Sequence, residues 1–306
     1  MYVHNRQQTN EATTTETLSS PIAMLPPELV RDIVFFAVGD PRERHTILRL
    51  SQVSQSLRQT VLDMSWLFTE ADWNCWPTPL LDLWCRRACA QPLTVYLTAI
   101  SIYRLMDGEA PELQALLESC SRRWGTLIFA TTSQERCTRF VERLLQRACP
   151  LLHTISGQGA LGPRTTLHLH PDCVPSLQTL YFDRIWPIFS TSFTSVTELT
   201  CTCARPTDWS PFLEVLKGCH LVQRLTINSW GYYRDDPIVF PAATGKAVLS
   251  SLTHLEIGGM NARLVPAIGQ FLGHCDIPKL KSLDIPNLWS TGPESFESLY
   301  QSVVRR

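Results

Sequence analysis

The chain has 306 residues, with 27 Lys and Arg against 28 Asp and Glu and a formal net charge of −1. This length is enough for two domains of about 150 residues each, or for one elongated array. The balanced charge gives no excess that would favour nucleic acid or an acidic membrane as a partner, and the 44% hydrophobic content excludes a largely disordered chain.

The eleven cysteines are scattered as single residues, without a Cys-x-x-Cys pair. Because their number is odd, a disulfide framework would leave one unpaired, so reduced thiols and a cytoplasmic or nuclear location are expected. The N-terminal sequence lacks the apolar segment of a signal peptide, and no apolar run reaches about 18 residues.

The first elements in the chain are predicted to be helices that follow a disordered tail. Residues 1–21 include a Thr- and Ser-rich stretch that cannot bury enough apolar area to be ordered. Order begins at Ile22, and Pro26 and Pro27 suit the first turn of a helix that ends near Val38. The apolar residues that share one face of this helix are Leu29, Ile33, Phe36 and Ala37.

A second apolar series with helical spacing follows between residues 50 and 64. Its members are Leu50, Val53, Leu57, Val61 and Met64. Ser54 interrupts the series and is suited to cap a third short helix, because its hydroxyl can accept a hydrogen bond from the first turn.

From about residue 70 onward, a short unit recurs: an apolar residue, two variable residues, an aliphatic residue, one variable residue and another apolar or small residue. The units are Trp124/Leu127/Phe129, Leu152/Ile155/Gly157, Leu177/Leu180/Phe182, Val196/Leu199/Cys201, Val222/Leu225/Ile227, Leu252/Leu255/Ile257 and Leu280/Leu283/Ile285. Their first positions are 28, 25, 19, 26, 30 and 28 residues apart. This spacing is close to the 20 to 29 residues that are typical of leucine-rich repeats.

Helical faces fill several of the gaps between these units. They comprise Leu113, Leu116, Leu117 and Cys120; Phe140, Leu144, Leu145 and Ala148; and Phe212, Val215 and Leu216. A strand followed by a helix at this period predicts an α/β solenoid with a parallel sheet on one side. The repeats are irregular, because the Asn expected three residues after the last Leu-x-Leu position is missing.

The N-terminal block resembles an F-box. The resemblance lies in LPPELVRDIVFFAV, RLSQVSQSLRQTVLD and the closing WLF, and it extends into LLDLWCRRACAQPLTVYL at residues 80–97, which resembles the segment after the F-box of fungal F-box proteins. It implies a three-helix F-box at residues 22–69 and a leucine-rich-repeat-like domain at residues 70–306.

The same resemblance implies a function without catalysis. An F-box binds a Skp-family adaptor, which links it to a cullin-RING ubiquitin ligase, while the repeats receive the target protein. The adaptor contacts implied by the resemblance are Leu25, Pro26, Glu28, Leu29, Ile33, Leu50, Val53 and Leu57. The alternative is a protein-interaction scaffold with no ligase role, and an independent enzyme is a third possibility.

The target surface is predicted from strand geometry. The variable residue between the last two apolar positions of a unit points away from the core, so successive units place these residues in a row about 5 Å apart. The row is Tyr181, Thr200, Thr226, Glu256 and Asp284. Trp230, in the aromatic loop 230–236, is expected to add to this surface because aromatic residues dominate many interfaces.

Several other patterns are candidates for chemical sites. Residues 157–162 match Gly-x-Gly-x-x-Gly, with Asp183 further on, but prolines interrupt the helix that a dinucleotide site needs, which favours an inter-repeat loop. His168, His170 and Cys173 could begin a zinc site, although no fourth ligand is visible. Neither a cofactor nor a metal is therefore predicted.

The remaining chemical patterns favour ordinary structural roles. Cys85 and Cys89, like Cys201 and Cys203, are expected to be buried small hydrophobic residues. A basic face is predicted for Arg136, Arg139, Arg143 and Arg147, and it could be either solvated or a binding strip. The sequence has no Gly-x-Ser-x-Gly, His-Glu-x-x-His or Walker motif, so no enzyme activity is predicted.

Overall fold

The computed structural model describes residues 24–38, 44–71, 73–74, 76–131, 135–159, 165–202, 209–228, 245–258 and 265–285. The chain divides into two compact units, Met1–Leu67 and Phe68–Arg306. The predicted N-terminal tail lies outside the described residues.

The first unit contains three helices that pack on one another. They are α1 (Pro27–Val38), α2 (Arg44–Val53) and α3 (Gln55–Asp63), and a 3-10 turn, Ser65–Phe68, follows them. The predicted break at Ser54 is confirmed, because the Ser54 hydroxyl caps α3 and accepts a hydrogen bond from the Leu57 N–H at 3.1 Å. The core of this unit includes Val30, Val34, Val38, Ile47, Leu57, Val61, Met64 and Leu67.

The second unit is a mixed α/β structure. Its helices are α4 (Thr78–Arg87), α5 (Ala99–Met106), α6 (Pro111–Cys120), α7 (Glu135–Leu145), α8 (Trp209–Gly218) and α9 (Val265–Gly273). Its strands are β1 (Glu70–Ala71), β2 (Leu93–Leu97), β3 (Trp124–Thr131), β4 (Thr154–Gly159), β5 (Thr165–Leu169), β6 (Thr179–Asp183), β7 (Ile185–Phe189), β8 (Glu198–Thr202), β9 (Arg224–Asn228), β10 (Ala247–Val248), β11 (His254–Gly258), β12 (Cys275–Asp276) and β13 (Ser282–Asp284). None of the described helices is long and apolar enough to cross a membrane.

The predicted parallel sheet is confirmed. Nine described strands form one sheet in the order β1-β2-β3-β4-β6-β8-β9-β11-β13, and every neighbouring pair is parallel. Because the order follows the chain, each connection returns to the next strand position. These connections contribute the helices and two short parallel pairs, β5 with β7 and β10 with β12.

A repeated backbone turn explains the recurring first apolar position of the predicted units. The N–H groups of Leu152, Leu177, Val222 and Leu252 each donate to the carbonyl three residues earlier, at 3.1 to 3.2 Å. The chain then enters a strand, and most of the three apolar positions in the units are buried. The last unit differs, because Leu283 in β13 is 36% exposed at the end of the described sheet.

The connections follow the predicted helical faces where the spacing between units is long. Helices α6, α7 and α8 bury most of the residues predicted for them, whereas Ala148 is exposed beyond the end of α7. Where the spacing falls to 25 and 19 residues, the strands β5 and β7 replace a helix. A strand crosses the same distance with fewer residues, since it rises about 3.3 Å per residue against 1.5 Å for a helix.

Candidate functional site

Helix α1 has apolar residues on two faces. One face consists of Val30, Val34 and Val38, which recur at a spacing of four residues and are buried in the first unit. The other face is the one singled out by the sequence periodicity, and its Leu29 and Ile33 are 48% and 42% exposed. A helix that is apolar on both faces but buried on one presents a surface suited to a partner.

Further large apolar groups enlarge the exposed surface near the start of the chain. Leu25, two residues before the first residue of α1, is 36% exposed, and Phe36 is 79% exposed. Phe35, which the sequence interpretation missed, is 55% exposed and packs its ring against Trp66 at a centroid distance of 5.5 Å. The sequence does contain an apolar run, Val34-Phe35-Phe36. Because consecutive residues lie on different faces of a helix, a search for one apolar face does not select Phe35.

The polar and proline residues expected at this surface are also accessible. Pro26 and Glu28 are exposed at the beginning of α1. The Pro26 carbonyl accepts the first hydrogen bond of the helix, from the Val30 N–H at 3.2 Å, so the proline positions the first turn.

The residues predicted from the second apolar series do not share one surface. Val53 is 63% exposed and Leu50 is half-buried, whereas Leu57 is only 2% exposed inside the three-helix core. The reason is the break at Ser54, which ends one helical period and starts another with a different rotation. Leu57 therefore offers no free surface in this structure.

The predicted row on the large sheet is present in register. Tyr181 pairs with Thr200, Thr200 with Thr226, Thr226 with Glu256, and Glu256 with Asp284. Tyr181, Glu256 and Asp284 are exposed, while both threonines are half-buried. The predicted Trp230 lies outside the described residues, beyond the end of β9.

The same row continues toward the start of the sheet, through residues that the sequence interpretation did not name. Ser156 pairs with Tyr181, Ile128 with Ser156, and Tyr96 with Ile128. The rule that selects Tyr181 also selects Ile128 and Ser156 when it is applied to the first two units. Both residues were therefore predictable from the sequence. To predict Tyr96 in this row, β2 must first be predicted as a strand. Its residues alternate between buried and half-buried.

A second row lies two residues earlier in each strand and divides the sheet face into two chemistries. It begins at Glu70 in β1 and continues as a ladder of hydroxyl groups from Thr94, Thr126, Thr154 and Thr179. It continues through the charged or titratable residues Glu198, Arg224 and His254. With Glu256 and Asp284 of the first row, the strands β8 to β13 therefore form the charged half of the sheet face.

The glycine-rich motif serves packing in this structure. Gly157 and Gly159 lie inside β4, and residues 160–162 lie outside the described residues. A Cβ atom on Gly157 would lie 2.7 Å from Phe129 Cζ, and one on Gly159 would lie 3.1 Å from the Arg184 carbonyl oxygen. Strand β5 follows the motif, so the helix that would hold a pyrophosphate is replaced by a strand.

Asp183, weighed as the acidic partner of that motif, is 5% exposed at the end of β6. Its Oδ1 lies 3.6 Å from Nε of Arg184, which has a positive φ of 62°. The adjacent guanidinium supplies an opposite charge, but neither Asp183 Oδ1 nor Arg184 Nε makes a hydrogen bond within the part of the chain that the structure describes.

The residues weighed as a zinc site make other contacts. His168 is exposed, and its backbone N–H donates to Glu142 Oε1 at 2.6 Å, while the Cys173 thiol donates to the Gln146 carbonyl at 3.3 Å. His170 is exposed at the end of β5. Among the residues that the structure describes, no group of three or more His, Cys, Asp and Glu side chains could hold a metal ion.

The predicted basic face of α7 is exposed, and acidic groups accompany most of it. Arg139 pairs with Glu135 at 2.7 Å, Arg147 with Glu118 at 2.8 Å, and Arg136 lies 3.8 Å from Asp107. Arg143 lies over the Phe140 ring, 5.6 Å from its centroid. Because the cations are balanced locally, this face resembles a solvated helix surface more than an anion-binding strip.

Most of the described cysteines have buried thiols. Burial raises the pKa values of Cys219 and Cys275 to about 12, because an apolar environment disfavours the thiolate. Cys85 and Cys201 are buried as predicted, and Cys203 lies outside the described residues. The prediction for Cys89 was wrong: α4 ends at Arg87, and Cys89 is exposed in the following turn with a φ of 50°.

Comparisons with protein-family models and with curated proteins found no match for this chain. The candidate site therefore rests on two features of the molecule itself, the exposed apolar face of α1 and the polar face of the parallel sheet.

Proposed function

We propose that this chain is the target-recognition subunit of a cullin-RING (SCF-type) ubiquitin ligase in the cytoplasm or nucleus. In this proposal, the first unit is an F-box that binds a Skp-family adaptor, and the adaptor connects it to the cullin. The second unit is an irregular leucine-rich-repeat-like solenoid that binds a target protein on its sheet face. The chain itself carries out no catalytic step.

The observation that carries the proposal is that α1 is apolar on two faces. Three valines of α1 already face the core of the first unit, yet another face of the helix exposes Leu29, Ile33 and Phe36. A domain this small has little stability to spare for apolar surface that remains in water. A partner that covers this face explains why the sequence keeps it apolar, and the F-box resemblance supplies the class of that partner.

The sheet supports the second part of the proposal. Its parallel strands follow one another in chain order, and the same turn precedes strands β4, β6, β9 and β11. This arrangement is the one expected when repeats of a strand and a connection stack on their neighbours. The sheet face then presents one side chain per repeat in each row, which suits recognition of an extended protein surface.

The adaptor contact can be tested with the double variant Leu29→Ala/Ile33→Ala in the tagged full chain. Truncation of a central interface residue costs about 2 to 4 kcal/mol, so recovery of the adaptor should fall at least tenfold when co-purified proteins are quantified by mass spectrometry. Cullin peptides should fall in parallel, because the cullin is bound only through the adaptor.

The matched control is Leu83→Ala/Ile100→Ala, which removes two exposed aliphatic side chains from the second unit, where they are 50% and 73% exposed. Adaptor recovery should be unchanged in this control. Undiminished adaptor recovery from a folded Leu29→Ala/Ile33→Ala protein would refute the adaptor contact. Adaptor recovery without cullin from the wild type would favour the scaffold alternative instead.

A further inference from the structure

A third row of side chains lies on the sheet face, two residues beyond the predicted row and at the carboxyl ends of the strands. Its members, which are paired in register from β4 to β11, are Gln158, Asp183, Thr202, Asn228 and Gly258. Because alternate residues of a strand point to the same side, this row shares its face with Tyr181 and Thr200. In open parallel sheets, ligands bind outside the carboxyl ends of the strands.

The middle of the third row is enclosed, although the sheet face beside it is open. Tyr181 is 38% exposed, whereas Asp183 and Thr202 are only 5% and 2% exposed. These two residues are partners on neighbouring strands, which lie about 5 Å apart, so their carboxylate and hydroxyl occupy adjacent positions. The next acceptor is the Asn228 amide oxygen, which lies 2.8 Å from the place that a Cβ atom on Gly258 would take. The row therefore offers oxygen acceptors in a recess of the sheet face.

The Asp183 carboxylate lacks the hydrogen bonds that a buried charge needs. Its Oδ1 has almost no accessible surface and accepts no hydrogen bond within the described residues. The side chain as a whole keeps 7% of its surface accessible, so it is not completely sealed. A buried acceptor without a hydrogen bond destabilises the folded chain, and an N–H donor from a partner removes that penalty.

Arg184 does not supply the missing hydrogen bond. Its Nε lies 3.6 Å from Asp183 Oδ1, and this nitrogen is also buried without a hydrogen bond. Arg184 alone separates β6 from β7, and its φ of 62° lies in the left-handed region, which is unfavourable for residues other than glycine. Backbone strain of this kind is concentrated at functional sites. Here the strained turn leaves the carboxylate with a neighbouring charge but no hydrogen bond.

The charge of the surrounding sheet face favours a cation. In the charged half of the sheet face, the described strands contribute carboxylates from Glu198, Glu256 and Asp284. Against them stand Arg224 and the titratable His254. An excess of carboxylates attracts a basic group toward the third row.

We propose that Asp183 and Thr202 bind an arginine side chain of the target protein. The guanidinium donates hydrogen bonds to the carboxylate and to the hydroxyl on the neighbouring strand, and its charge balances that of the carboxylate. Arginine fits two neighbouring acceptors better than lysine does, because its guanidinium is planar and its N–H groups point in several directions. This assignment rests on the proposed function and deepens it, since it names the chemical group that the sheet face recognises.

The test titrates the purified full-length chain with N-acetyl-arginine amide and, separately, with N-acetyl-citrulline amide. Citrulline has the shape of arginine without its charge, so it is the matched probe. A ligand that binds only the folded chain raises the midpoint of thermal unfolding as its concentration increases. The arginine probe should raise the wild-type midpoint at least twice as much as the citrulline probe at equal concentration. N-acetyl-lysine amide should raise it less than the arginine probe does.

Two variants assign the binding to the third row. Asp183→Asn should abolish the difference between the arginine and citrulline probes, because asparagine keeps the size of the side chain but not its charge. Thr202→Val, which removes only the hydroxyl, should reduce the difference. The matched control is Glu109→Gln, which neutralises an exposed carboxylate outside the sheet and should retain the full difference. Circular dichroism establishes that each variant is folded, and the comparison of the probes in the wild type needs no variant.

The same substitution connects the site to the target. In the tagged full chain, Asp183→Asn should lower target recovery at least tenfold, with adaptor recovery unchanged. The probe titration involves neither adaptor nor cullin, so a failure of the proposed ligase function would leave its result intact.

Three results would overturn the proposal. The first is a wild-type midpoint that responds equally to the arginine and citrulline probes, since no cation would then be recognised. The second is a response to the lysine probe as large as that to the arginine probe, which would remove the case for a guanidinium. The third is the full difference between the arginine and citrulline probes in folded Asp183→Asn, which would place the cation elsewhere on the chain.

Discussion

Single residues with no side chain or a small one control how closely the strands of the sheet pack. Gly157, in β4, is covered by the rings of two neighbouring strands. An added methyl group would lie 2.7 Å from Phe129 Cζ and 3.2 Å from Phe182 Cδ1. Both rings are almost fully buried, so neither can move aside without disturbing the core.

We therefore expect Gly157→Ala to destabilise the protein by about 1 to 2 kcal/mol, measured as a lower midpoint of urea unfolding. Overpacking a core destabilises a protein by about 1 to 3 kcal/mol. Alanine also restricts the unfolded chain more than glycine does, but this stabilises the folded state by less than about 1 kcal/mol. The control is Gly245→Ala, because Gly245 is exposed and an added methyl group there would meet no heavy atom within 4 Å. Equal midpoints for the two variants would contradict the packing argument.

The buried thiol of Cys219 should make stability depend on alkaline pH. Burial raises its pKa from 9.0 to about 12, so between these values the folded chain keeps a proton that the unfolded chain loses. The unfolded state then binds fewer protons, and the free energy of unfolding falls as pH rises, by up to about 1.4 kcal/mol per pH unit for one thiol.

Removal of this group should make the alkaline loss of stability shallower. Urea unfolding of Cys219→Ala between pH 9 and 11 should show a slope that is less steep than that of the wild type by about 1 kcal/mol per pH unit. The cavity left by the sulfur changes stability by a constant amount and leaves the slope alone. Cys89→Ala, which removes an exposed thiol, is the control, and identical slopes for the two variants would refute the assignment.

At the scale of elements, the break between α2 and α3 determines which apolar residues reach the core. Ser54 separates two helices that the apolar spacing alone would join into one. Its hydroxyl satisfies the N–H of Leu57, which would otherwise have no partner in the first turn. The break turns Leu57 inward while Val53 remains at the surface.

Ser54→Ala should therefore destabilise the first unit by about 1 kcal/mol, measured by thermal unfolding followed by circular dichroism. The matched control is Ser51→Ala. The Ser51 hydroxyl bonds back to the Leu48 carbonyl at 2.7 Å within α2, where alanine is the better helix former. A loss of stability in Ser51→Ala as large as that in Ser54→Ala would show that capping is not the cause.

The sequence predicted these elements to different extents, for physical reasons. The parallel strands were predictable because each unit must bury two or three apolar residues at fixed spacing, as Leu255 and Ile257 do. The core face of α1 was not, because Leu29 and Val30 are equally apolar and periodicity cannot decide which face meets the other helices. The packing of α4 against α6 brings together two helices that are separate in the sequence, which no local pattern reports.

At the scale of the whole molecule, stacking of the strands converts scattered residues into continuous rows. Tyr96 and Asp284 are far apart in sequence, yet the register connects them through one side chain from each strand. The row changes from aromatic and aliphatic groups at one end to carboxylates at the other. A target that follows this row should meet the carboxylates with a basic segment.

Reversal of the acidic end should then remove the target while leaving the adaptor bound. In Glu256→Lys/Asp284→Lys, two exposed carboxylates become cations in neighbouring positions of the row, so a basic target segment should be repelled. Target recovery should fall at least tenfold in quantitative co-purification, with adaptor recovery unchanged, because the proposed adaptor surface lies on α1. The control is Glu109→Lys/Glu214→Lys, which reverses two exposed carboxylates outside the sheet. If all partners were recovered equally from both variants, the target would bind elsewhere on the chain.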